Sequence, residues 1–101
     1  MNANDPLDEI EKHKLNLETG EISWRELQRP FARGALISVR AELDLVDVAF
    51  EFAKDNKAQI EVWLASRDVH RVTDDQAREW QGREASLWAV VVKPWVLVQA
   101  R

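Results

Sequence analysis

The strongest apolar pattern in the chain is Leu87-Trp-Ala-Val-Val-Val-Lys-Pro-Trp-Val-Leu-Val98, a strand composition interrupted at Pro94, which must bend the strand or place it at a sheet edge. If the period of two continues through Pro94, Leu87, Ala89, Val91, Trp95 and Leu97 fall on one side. Trp88, Val90, Val92, Val96 and Val98 fall on the other. Both sides are apolar, so both need cover.

Upstream, the pattern switches between helical and extended periods. Asp5-Pro6 followed by Asp8 and Glu9 opens a helix that Gly20 stops, with Asp5 as cap and the acids at the positive end of the dipole. Ser23 and Glu26 match a capping box, and Trp24, Leu27 and Phe31 recur at helical spacing to Gly34, which predicts a helix over 23–33 with a kink or break at Pro30. Residues 35–40 read as a strand. Asp44 caps a mostly apolar helix whose narrow polar stripe is Asp47, Glu51 and Lys54. Asp55-Asn56-Lys57 breaks into a further helix with Ile60, Trp63 and Leu64 on one face, a short strand follows at 69–72, and Thr73 with Gln76 caps a helix that Gly82 ends.

These elements predict an α+β fold of helices packed on a small sheet, with a winged-helix-like order and an extra helix at 73–81 in place of the wing. Residues 1–101 read as one domain, and 1–20 as a loosely packed N-terminal helix, because Leu7, Ile10 and Leu17 make a thin face. No internal repeat or linker interrupts it.

Three blocks, 15–48 with Trp24-Arg-Glu-Leu27 and Ala41-Glu-Leu-Asp-Leu-Val46, 63–80, and 88–99, resemble a bacterial family, domain of unknown function 2288. The most specific piece is Trp88-Ala-Val-Val-Val-Lys-Pro-Trp95. The resemblance implies a small bacterial protein and brings no activity, cofactor or catalytic residue with it.

Composition removes whole classes of function. Without cysteine there is no disulfide framework, thiolate metal site or cysteine nucleophile. The formal charge of −4 repels nucleic acid and anionic membranes over the molecule as a whole. No apolar run has the length of a signal peptide core or a membrane span, so the expected location is the cytoplasm.

Candidate chemistry is sparse, and no cofactor or metal is assigned. Arg25, Arg29 and Arg33 form a basic row at a spacing of four, suited to a phosphate or an acidic partner but more simply a solvated helix face on which Arg25 pairs with Glu21 or Glu26. Glu42, Asp44, Asp47 and Glu51 gather at one helix start, as a hard-cation or acid–base site would require. Capping, the helix dipole and an i,i+3 pair from Glu51 to Lys54 account for them more simply. His13 and His70 stand on different elements, and Gly20, Gly34 and Gly82 stand alone.

As a DNA-reading helix, the segment after Asn56 would offer Lys57, Gln59, Glu61 and Ser66, a single lysine opposed by a glutamate, so nucleic acid is a disfavoured partner. The leading reading is a non-enzymatic protein–protein interaction domain, a homodimer, with Trp88, Val90, Val92, Trp95, Val96 and Val98 as the candidate interface. The alternatives are a winged-helix nucleic-acid binder and a small-ligand or enzymatic domain using Glu42, Asp44 and Asp47.

Overall fold

A computed structural model describes residues 6–100; Asp5, expected to cap the first helix, lies outside them. Helix α1 (Pro6–Glu18) leads through Thr19 into strand β1 (Gly20–Ser23) and then α2 (Trp24–Ala32). Strand β2 (Leu36–Val39) is followed by the helix pair α3 (Leu45–Ala53) and α4 (Lys57–Ser66). Strand β3 (Val69–Arg71), helix α5 (Asp74–Gly82) and strands β4 (Ser86–Val92) and β5 (Trp95–Gln99) complete the chain.

The helix boundaries follow local chemistry. The Asp44 carboxylate accepts the backbone N–H groups of Val46 and Asp47 at 2.9 and 3.1 Å, and Asn56 Oδ1 accepts that of Gln59 at 3.3 Å. Thr73 and Gln76 form the reciprocal capping box. Gly34, at φ 72°, closes α2 in a Schellman arrangement: the Gly34 N–H donates to the Phe31 carbonyl and the Ala35 N–H to that of Pro30.

Other terminators differ from expectation. Gly20 opens a strand instead of ending a helix, whereas Gly82 is the last residue of α5 without being its left-handed cap. The left-handed position after α5 is Glu84, at φ 49°. Ser23 makes no side-chain cap because it ends β1; the Trp24 N–H is instead paired across the sheet with the Ala85 carbonyl at 2.8 Å. The helix runs through Pro30 without breaking.

The five strands lie in the order β1-β4-β5-β2-β3, all antiparallel except the central β2–β5 pair. The α+β class holds, but the winged-helix-like reading is not confirmed: β3 and β4, which would build a wing hairpin, have β5 and β2 between them.

The C-terminal apolar segment is also not one bent strand. Lys93 and Pro94, joined by a cis peptide bond, turn it back on itself as a hairpin that pairs Val92 with Trp95, Val91 with Val96 and Val90 with Leu97. This turn resets the alternation. Trp88, Val90, Val92, Trp95 and Leu97 now share one face of the sheet, and Leu87, Ala89, Val96 and Val98 share the other.

Both faces are covered from within the chain. On one, α2 and α5 supply Trp24, Leu27, Ala77 and Trp80 over Leu36, Leu87 and Val98. On the other, Leu15 of α1 and Leu45, Val48, Ala49 and Phe50 of α3 lie over Ile37, Val69, Val90 and Leu97. The cover that the two apolar sides of the segment need is thus supplied by the chain itself, because its helices divide between the two faces.

Candidate functional site

Two large apolar side chains of the sheet are exposed, Trp88 and Val91, and the second lies at the hairpin end. Strand β1 pairs with β4 only as far as Gly20 opposite Ala89, so β4 continues past its neighbour. The Val96 N–H donates to Ala35 on the far side of β5, which makes Val91–Val96 a non-hydrogen-bonded pair. The backbone groups of Val91 therefore point to the side where β1 has ended, and its side chain is 48% exposed.

Beside Val91 opens a cleft of about 620 Å³ on the α2 face, walled by Ile22, Leu27, Pro30, Pro94 and Val96. Its charged residues are Glu26, Arg33 and Lys93. A second cavity, of about 390 Å³, lies on the opposite face of the sheet, between α4 and the starts of β2 and β5. It exists because α4 stands off the sheet: Ile60 and Trp63 are only half-buried, Leu64 is exposed, and no residue of α4 is buried. Trp95 borders both hollows, and the Arg71 guanidinium lies over its ring at 5.8 Å from the centroid.

The residues named from sequence separate clearly. Of the candidate interface, Val90 and Val98 are buried beneath the chain's own helices, while Val96 is buried but borders the cleft beside Val91. Trp88 stays exposed, and Val92 and Trp95 are half-buried. Trp88 sits apart from the hairpin end, in a shallow hollow with Asn16, Thr19 and Leu43, where Gln99 Nε2 donates to the Arg40 and Leu43 carbonyls.

Arg25 and Arg29 are exposed on α2 and Arg33 is exposed at its C-cap; the ion pairs found among the described residues do not include these three. They are split between surroundings: Arg25 borders a hollow with Gln28, Gln81 and Glu84, and Arg33 borders the Val91 cleft. Helices α2 and α4 lie on opposite faces, so this row is not continuous with Lys57. The expected DNA-facing set is also divided, with Lys57 and Glu61 at the α4 cavity and Ser66 bonded to Asp68 at 2.9 Å.

The carboxylates do not converge. Glu42 pairs with Arg40 at 2.8 Å, Asp44 caps α3, Asp47 faces Lys12 at 3.5 Å and Glu51 pairs with Lys54 at 3.0 Å. The Arg40 guanidinium holds the carboxyls of Glu42 and Asp68 below their usual range, assisted at Asp68 by the Ser66 hydroxyl. At Glu51, burial works against ionisation, but hydrogen bonds from Asn56 and Lys54 outweigh it and keep the pKa low. Among the described residues, no group of three His, Cys, Asp or Glu is placed to hold a metal ion.

Sequence reasoning missed Arg71, Lys93 and the short strand β1. Arg71 was legible in principle, since it stands two residues from buried Val69 on a strand and must share its face.

The fold and these surfaces define a small α+β domain with a mixed sheet covered on both faces. The chain belongs to the family described as Protein of unknown function (DUF2288), whose model matches residues 10–100. It is similar to a solved protein, the NMR solution structure of PA1075 from Pseudomonas aeruginosa, at 42% identity, with a TM-score of 0.79 and coverage of 100% of this chain and 91% of that one. No curated protein matches. Among the described residues, no helix is long and apolar enough to cross a membrane.

Proposed function

We propose that this is a non-enzymatic protein–protein interaction domain that forms a homodimer through the cleft beside Val91. The observation that carries the reading is the coincidence of an exposed valine, a strand edge beyond the reach of β1, and an apolar concavity. The cleft carries charges of both signs, which suits a two-fold contact: Glu26 of one copy can meet Arg33 or Lys93 of the other, and the reverse. The cleft is large enough to seat side chains but shallow enough that a flat self-contact can fill it.

Light scattering and sedimentation across micromolar concentrations test the reading. The native chain is expected to dimerise, and Val91→Glu is expected to abolish this without altering near-ultraviolet circular dichroism, because Val91 contributes to surface and not core. A strict monomer throughout the native series overturns the proposal.

A further inference from the structure

The cavity under α4 lies across the sheet from the Val91 cleft and makes a separate inference possible. Its floor is formed by three residues on one sheet face: Ile37, its register partner Arg71, and Trp95. Its roof is Phe52 of α3 with Ile60 and Leu64 of α4. Apart from Arg71 these walls are apolar, and the volume of about 390 Å³ is within the range of small-molecule sites.

Four charged residues also border it: Arg71 and Lys57, Asp55 and Glu61. Among the described residues none of the four is in an ion pair, although Lys57 and Glu61 stand at the i,i+4 spacing that would allow one. The Arg71 guanidinium carbon lies 5.8 Å from the centroid of the Trp95 ring, and its planar fork of donors suits a carboxylate bound through two parallel hydrogen bonds. Gly34 runs alongside, where even an added Cβ would stand 3.8 Å from the guanidinium Nη1.

Two cations and two anions around one apolar hollow complement a molecule that carries both charges and an apolar body. A nucleotide or polyphosphate would bring its charge against Asp55 and Glu61, and a simple hydrocarbon would leave all four groups unused. We propose that this cavity binds a free α-amino acid with a large apolar side chain, its carboxylate on Arg71 and Lys57 and its ammonium toward Asp55 and Glu61. The side chain then occupies the space between Ile37, Phe52, Ile60 and Leu64.

The test is a titration of the ¹⁵N-labelled full chain with L-phenylalanine and L-leucine, followed by amide and indole N–H resonances. Saturable shifts are expected at the Trp95 indole and at the amides of Ile60, Leu64 and Arg71, with the buried Trp24 and Trp80 indoles unmoved as a check on the fold. The analogues 3-phenylpropanoate and 2-phenylethylamine, which lack the amine and the carboxylate respectively, should each bind about tenfold or more weakly, the cost of one charge-assisted hydrogen bond. Arg71→Met should lose binding by a similar factor, and Arg71→Lys should recover part of it. Absence of shifts up to the solubility of L-phenylalanine, equal affinity for either analogue, or unchanged binding by Arg71→Met overturns the proposal. Val91→Glu should leave this titration unchanged, so the two proposals fail separately.

Discussion

Trp24 of α2 and Trp80 of α5 meet in a tilted ring contact beneath the sheet, with ring centroids 5.7 Å apart and planes inclined at 57°. Phe31 extends the contact from the other side of Trp24 at 5.5 Å, so three aromatic rings tie two helices that are distant in sequence. Both tryptophans are almost completely buried. Trp80→Ala should therefore cost about 3–5 kcal/mol, through lost transfer energy and the cavity left behind. Urea denaturation checks this, and a loss under about 1 kcal/mol would show that the two helices close the gap.

The cap of α3 is a single side chain. Asp44 satisfies two of the otherwise unpaired donors of the first turn and places a negative charge at the positive end of the helix. Asp44→Ala should lower stability by about 1 kcal/mol, read as an earlier thermal midpoint with unchanged secondary structure.

Glu84 invites a change in the opposite direction. It occupies the left-handed position that closes α5, with its N–H donated to the Gln81 carbonyl and the following Ala85 N–H to that of Trp80. A side chain with a Cβ is disfavoured there, so Glu84→Gly should raise stability by about 0.5–1 kcal/mol. Gly34→Ala, at the equivalent position after α2, should lower it by a similar amount. Paired denaturation curves of the two variants test both signs.

Arg40 links stability to acid pH. Its guanidinium holds Glu42 and Asp68 below their unfolded pKa values, so the contribution is fully present above those values and is lost as pH falls through the lower, folded ones. The difference in melting temperature between the native chain and Arg40→Gln should be constant from neutrality to about pH 5 and should vanish in the region below about pH 4. Arg40 and Glu42 are well exposed to solvent and Asp68 is partly so, and high salt should therefore shrink the difference. A difference that persists at pH 2 would mean that Arg40 acts through packing.

The extent to which the sequence foretold the molecule depends on the range of each interaction. Asp44, the Thr73–Gln76 box and Gly34 were legible because each acts within four residues of itself. The α+β class followed from the change of hydrophobic period. Strand β1 was missed because four residues with Glu21 and Ser23 facing outward carry too short a pattern.

The hairpin was missed because Lys93-Pro94 has none of the Gly or Asn signals of a two-residue turn, so its faces were assigned with the wrong parity after Pro94. The cover on both faces depends on strand order, which is set by pairings between residues more than fifty positions apart, such as Ile37 with Leu97. The candidate cavities inherit that dependence: Trp95 was named from sequence, but Arg71 above it and Val91 beside the open edge gain their meaning only from the assembled sheet.

Strand β5 lies in the middle of the sheet although it follows every other element in the chain. The β1–β4 and β2–β3 ladders can each form without β5, but the two halves share no ladder until residues 95–99 are in place. A chain that ends before Trp95 therefore lacks the strand that joins β4 to β2, and each of those strands keeps an unpaired inner edge.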